Sequence, residues 1–388
     1  MGALAFGLNV FLARFLFPSE FGRYQFAITC GALAALIQDA GFRTLIFREE
    51  AGASRGFSLP PLSWLFWRHL LPTTAFFCFL ALVFGYTLLL PSTIYFAFFV
   101  WCSWISSCLK GRRCFLEESG SSTSFRLTTV LCGLFLASRF SSANGALWGL
   151  ALGGALWGLV SWKMISGLCG RTNSSPFRVS LRKLYAASLS FLLIDLFTTI
   201  YFRMDIVMLN YFRSSEEVAY YAASYRLFEA VIFASTPLMH IYFAYFRPLF
   251  LAREKESRPM FFFSLAAALF IAAGLLFVAI LGREKILTWL YGMDYLRAKD
   301  SFVWLMFALL FALPNYILTQ TVIASAKERL YVWAAAGTAL FNFVANCFLI
   351  PLKGGPGAAI TTFLSEALLF FCLLICGRTI WGRKWQKS

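Results

Sequence analysis

Charge is scarce in this chain. Only 13% of its 388 residues are Asp, Glu, Lys or Arg, about half the share of an average soluble domain. A water-soluble core cannot hide the apolar surface that this leaves, so a soluble globular fold is excluded. Histidine is scarcer still, with His69 and His240 alone. None of the ten cysteines forms a C-x-x-C pair. Neither a metal centre nor a disulfide framework is expected, because both need clustered ligands. There is no Gly-rich phosphate loop, no nucleophile constellation and no D-x-D. No cofactor is expected, and the chain reads as a non-enzyme that does not hydrolyse ATP itself. A membrane-embedded glycosyltransferase or polymerase would want acidic residues on a substantial outer loop, and the outer loops here are short. The N-terminus also lacks the basic stretch and small-residue cleavage site of a cleavable signal peptide.

What fills the sequence instead is apolar. Sixty per cent of the residues are hydrophobic, with 45 Phe and 12 Trp. A helix needs about 20 apolar residues to cross a bilayer. Runs of this kind lie near 3–17, 21–42, 69–90, 92–109, 125–140, 145–168, 184–209, 217–246, 259–281, 301–324, 330–350 and 356–377. They predict an all-α integral membrane protein of about twelve spans. The first run is short and reads as a truncated first helix. Pro18, Pro91, Pro351 and Pro356 punctuate span ends, whereas Pro237 and Pro314 fall inside spans, where they mark bends.

The formal net charge of +16 does not point to nucleic acid, because the basic residues are spread over short loops. It has a topological meaning. Of the 34 basic residues, 23 fall in loops on the side of the termini and nine on the other side. The positive-inside rule then places both termini in the cytoplasm. The exception is "GREKILTWLYGMDYLRAKD", which puts four basic residues outside and reads as a small amphipathic helix on the outer surface.

The chain also repeats itself weakly. "PSEFGRYQFA" at 18–27 matches "SSEEVAYYAA" at 214–223, pairing Ser19 with Ser215, Glu20 with Glu216, Tyr24 with Tyr220 and Ala27 with Ala223. Each piece opens the second span of a six-span group. Six is even, so the two groups share one orientation, which is a parallel repeat. The expected organisation is an N-terminal six-helix lobe over 1–168, a cytoplasmic linker over 169–183, a C-terminal lobe over 184–377 and a basic cytoplasmic tail over 378–388.

Four stretches carry a family resemblance. They are "ARFLFPSEFGRYQFAITCGALAALIQDAGFRTLIFRE", "RMDIVMLNYFRSSEEVAYYAASYRLFEA", "YGMDYLRAKDSFVWLM" and "NFVANCFLIPLKGGPGAAITTFLSE". In this order they resemble the bacterial polysaccharide-biosynthesis flippases, of the O-antigen translocase type, within the multidrug/oligosaccharidyl-lipid/polysaccharide exporter superfamily. The resemblance implies a two-lobed helical bundle with a central cavity in the bacterial inner membrane. It implies flipping of a polyprenyl-pyrophosphate-linked oligosaccharide from the cytoplasmic to the outer leaflet by alternating access. The implied partners are that lipid-linked sugar, membrane lipid and polysaccharide-assembly proteins, and no nucleic acid. The chain departs from the pattern in its short first span and its length. Two other readings stay open at this point: a drug or cation antiporter of the same superfamily, and a truncated inactive relative.

Charges inside spans are expensive and therefore informative, since a charge at the bilayer centre costs about 2.5–3.5 kcal/mol on insertion scales. Arg226 and Glu229 are three apart, share a helix face and can pair. Arg226 either ties the bundle internally or lines the cavity and meets the pyrophosphate, which suits its planar fork. Asp195 and Glu366 lie mid-span with no basic residue on their own helix. Each needs a partner elsewhere, such as Arg226, or water, or a proton, and each is a coupling candidate. Asp39 and Arg43, four apart at the cytoplasmic end of the second span, suit a structural pair or a gate. Arg203 and Asp205 are two apart, so they face nearly opposite sides. Both are expected near the outer interface, where they would shape a cavity mouth. His240 reads as packed or interfacial, and Tyr220, Tyr221, Tyr225 and Trp304 read mainly as packing residues.

Overall fold

The computed structural model describes the backbone of residues 2–52, 61–169, 180–252, 254–325 and 327–382. Most of the predicted linker and the end of the basic tail lie outside these residues. Among the described residues the chain is all helix, with no strand. The helices are α1 Gly2–Phe15, α2 Pro18–Asp39, α3 Phe42–Glu50, α4 Leu62–Leu65, α5 Leu71–Val83, α6 Leu89–Gly111, α7 Phe115–Phe140 and α8 Ala143–Cys169. After them come α9 Leu181–Phe212, α10 Ser215–Ala252, α11 Glu254–Tyr291, α12 Lys299–Ala324, α13 Glu328–Lys353 and α14 Gly355–Gly382. A π-turn at Phe66–Leu70 joins α4 to α5, so that Leu62–Val83 runs as one span.

All twelve apolar runs are helical, but the count of twelve spans is not reached on length and composition. Nine described helices are long and apolar enough to cross a membrane, and the bent pair α2–α3 makes a tenth. α1 has only 14 residues. α7 carries Glu117, Glu118, Arg126 and Arg139 among many serines and threonines, which leaves it too polar to count as a span on composition. The predicted amphipathic surface helix is also corrected. α11 continues through that stretch to Tyr291, Gly292 turns the chain at φ +101°, and Met293–Ala298 forms a 3-10 turn. Tyr291 and Tyr295 are buried, and the Tyr291 hydroxyl donates to the Ala223 carbonyl of α10 at 3.0 Å. The buried tyrosines hold the segment against α10.

By internal packing the chain divides into two compact units, Ala3–Val207 and the residues from Met208 onward. In the first, α2 and α5 pack on α6, α6 packs on α8, and α7 packs on α8. In the second, α10 and α11 pack on α12, α12 packs on α14, and α13 packs on α14. The two wiring patterns are the same, as the repeat predicts.

One polar contact repeats with the wiring. Glu20, in the first turn of α2, accepts from the Ala143 amide at the start of α8 at 2.8 Å. Glu217, in the first turn of α10, accepts from the Gly355 amide at the start of α14 at 3.0 Å. A helix N-terminus has unbonded amides and a positive dipole end, so a carboxylate there is favoured. The structural equivalent of Glu20 is therefore Glu217, one residue past its match in the sequence repeat. Arg213 completes the second site by donating to the Ile350 and Pro351 carbonyls at the end of α13.

α8 approaches α7 through glycine. A Cβ on Gly153 would lie 2.5 Å from the Thr128 carbonyl oxygen and 2.6 Å from Thr129 Cα, and Gly149 similarly meets the backbone at Cys132 and Gly133. In lipid, packing of this kind replaces the hydrophobic drive that holds soluble helices together.

Candidate functional site

The first unit gathers its polar groups where α2 breaks. Ala40 and Gly41 take left-handed backbone angles, φ +50° and +74°, and α3 leaves α2 at a bend of 47°. Breaking a helix strands carbonyls on one side and amides on the other. Here side chains take up one of each. Asp39 Oδ1 accepts from the Arg43 amide at 3.1 Å, which caps α3, and from Trp104 Nε1–H of α6 at 2.6 Å. The Gln38 carbonyl meets His69 Nε2 at 2.9 Å. The other ring nitrogen, Nδ1, meets the Tyr185 hydroxyl of α9 at 2.6 Å. With Nε2 protonated to donate to the carbonyl, Nδ1 accepts from the tyrosine, and the neutral ring satisfies both contacts.

Aromatic rings enclose this histidine. Phe42 and Tyr185 stand edge-on to it at 5.0 and 5.5 Å between centroids, and Trp104 stacks at 6.3 Å. His69 is 2% exposed and Trp104 is fully buried. The π-turn sets the ring there, since an extra residue in a helical turn re-aims the side chains that follow it.

Arg43 does not form an ion pair with Asp39 across their four-residue spacing. Its guanidinium reaches α9 and pairs with Asp195 at 2.9 Å. This answers the question of what Asp195 pairs with: the partner is Arg43, 152 positions away, and not Arg226. Gly41 seats α9 directly on the break, since a Cβ there would lie 2.6 Å from the Ser188 carbonyl oxygen and 2.7 Å from the Leu192 amide nitrogen. Arg203 and Asp205 lie further along α9. Asp205 is buried, at 4% exposure, and Arg203 is half-buried.

The candidate residues of the second unit fall in two polar groups. Arg226 and Glu229 pair along α10, with Nη1 to Oε2 at 2.5 Å and both side chains 15% exposed. Earlier on the same helix Tyr220, Tyr221 and Tyr225 are buried, and Tyr221 stacks on Tyr225 with centroids 5.6 Å apart. Glu366, on α14, is 8% exposed. Asn315 of α12 donates to its Oε2 at 2.8 Å and to its carbonyl at 2.9 Å. Next to it, Asn342 of α13 donates to Ser365 and Asn346 donates to Asn342, each at 3.1 Å. Glu366 is thus one member of a buried polar seam through α12, α13 and α14. His240 is exposed.

Sequence reasoning singled out Asp39 with Arg43, and Asp195 apart from them, and the structure brings the three together. It missed His69, Tyr185, Trp104 and Gln38 in the first unit and Asn315 in the second. A lone histidine and a tyrosine 116 positions apart carry no signal in one sequence. Asn342 and Asn346 were visible as an N-x-x-x-N spacing, which sets both on one helix face.

The family profile described as "Polysaccharide biosynthesis protein" matches residues 2–232. The chain belongs to this family. No curated protein sequence matches the chain. Among solved structures, the lipid II flippase MurJ in an inward closed conformation superposes with a TM-score of 0.70 at 14% identity, covering 97% of this chain and 86% of MurJ. An inward-facing multidrug resistance MATE family transporter of the MOP superfamily gives 0.65 at 11% identity, covering 100% of this chain and 96% of the transporter. An outward-facing MATE structure gives 0.58 at 11% identity, covering 99% and 95%. At such low identity these likenesses establish the fold. This member of the polysaccharide biosynthesis family is therefore a multi-pass helical membrane protein with the fold of flippases and transporters.

Proposed function

We propose that the protein is a transporter, not an enzyme, that flips a polyprenyl-pyrophosphate-linked oligosaccharide from the cytoplasmic to the outer leaflet by alternating access. It acts in the inner membrane of a bacterium, with both termini in the cytoplasm, in the assembly of a cell-surface polysaccharide of the O-antigen or lipopolysaccharide type. The observation that carries this reading is the family match over residues 2–232; the superposition on a lipid II flippase fits the same fold to it. Membrane lipid and polysaccharide-assembly proteins are its expected surroundings.

Within this reading Arg226 meets the pyrophosphate. Glu229 holds the guanidinium in place and balances its charge between substrates, and the incoming anion competes for the same donor. Arginine suits the task because its charge is permanent and its fork matches phosphate oxygens. Asp39, Arg43 and Asp195 act as a gate, since each already has a protein partner. Glu366 remains the coupling candidate, and Arg203 and Asp205 remain cavity candidates. Arg226→Ala should slow flipping about tenfold, the worth of one charge-assisted hydrogen bond. Glu229→Gln should change it less than about twofold, because the arginine stays. The check is initial flipping rate in proteoliposomes at equal folded incorporation. If both variants lose activity alike, the pair is a structural tie and Arg226 has no contact with substrate.

A further inference from the structure

Residues that bond at the α2–α3 break, His69 and Arg43, also bond α9. Tyr185 and Asp195 lie ten positions apart on α9, about 15 Å along a helix. His69 bonds the first and Arg43 pairs with the second. Between them the Gly41 backbone sits directly against Ser188 and Leu192. These three contacts, spread over three turns, tie the first half of α9 to α3 and the π-turn. None of the three contacts on α9 comes from α2 proper. Two come from α3 and the turn before it, and one from the π-turn.

We propose that α3 and the first half of α9 form one body, latched by Arg43–Asp195 and His69–Tyr185, and that α2 moves against this body by bending at Ala40–Gly41. His69 and Arg43 are positioning residues of this latch, not substrate contacts. The left-handed pair at 40–41 is the place where backbone angles can change without breaking helical hydrogen bonds, as hinges require. Three bonds cross this boundary from α2 and are the ones that bending changes: the Gln38 carbonyl to His69, and the Asp39 carboxylate to the first turn of α3 and to the indole of α6. The proposal concerns motion and does not rest on the identity of the transported lipid.

Hydrogen–deuterium exchange on the full chain in nanodiscs tests it. Tyr185→Phe, which removes one hydroxyl, and Arg43→Gln, which removes the ion pair, should each speed exchange in residues 42–50 and 185–195 together. The expected increase is about tenfold for Arg43→Gln and smaller for Tyr185→Phe. Exchange in 18–36 should stay as in the wild type. Arg43→Lys keeps a charge opposite Asp195 and should restore wild-type protection. Faster exchange in 185–195 alone would overturn the proposal, because the two segments would then not be one body. So would unchanged exchange in both variants, or loss of protection that spreads equally through α2.

Discussion

Replacing Asp39 by leucine should destabilise the first unit by about 3 kcal/mol. Three groups depend on that carboxylate. The Arg43 amide loses its cap, worth about 1 kcal/mol. The Trp104 indole N–H loses its acceptor inside a fully buried site, and a hydrogen bond to a charged group is worth about 1.5–3 kcal/mol. Arg43 loses a nearby negative charge. The measurement is thermal unfolding in detergent, followed by tryptophan fluorescence. Asp39→Asn should cost less than half as much, because an amide oxygen can accept both bonds at the same length. If asparagine proves as harmful as leucine, the negative charge matters and the two hydrogen bonds do not.

Gly153→Leu should separate α7 from α8. The new side chain would begin 2.5 Å from a carbonyl oxygen of the facing helix and 2.6 Å from a Cα. Backbone cannot rotate aside as a side chain can, so the helices must move apart along the whole seam. Overpacking of a rigid site costs about 3 kcal/mol or more, and the lost close contacts of α7 and α8 add to it. The variant should be recovered poorly from membranes and aggregate in detergent. Gly274→Leu is the matched control: nothing lies within 4 Å of a Cβ at that position, and recovery there should equal the wild type. Equal recovery of both variants would mean that the α7–α8 seam is looser than these distances state.

The spans were legible in the sequence because burial in lipid leaves apolar runs of fixed length, and all twelve runs are helical. Their qualification as spans was less legible, because α1 is short and α7 mixes apolar residues with serine, threonine and charge. Local pairs were legible too. Arg226 and Glu229 are three apart on an unbroken helix, so their contact follows from helix geometry. Asp39 and Arg43 are four apart, yet the same reasoning fails for their side chains. The left-handed residues between them end one helix and start another, and the carboxylate takes the amide of residue 43 instead of its guanidinium. The partner of Asp195 was out of reach for a different reason: one sequence does not say which helices adjoin. His69 was hidden by both effects, since its ring is aimed by a π-turn and its partners come from α2 and α9. The segment 282–300 misled through its charge, which made it look peripheral, while Tyr291 and Tyr295 bury it.

The most direct test of the account is translocation by the wild-type protein in proteoliposomes, with a fluorescent polyprenyl-pyrophosphate oligosaccharide on one leaflet and a quencher outside. Protein-dependent flipping of this lipid is expected, with slower flipping of a polyprenyl lipid lacking the pyrophosphate. Absence of flipping of any pyrophosphate lipid, alongside uptake of a cationic drug by the same preparation, would contradict it.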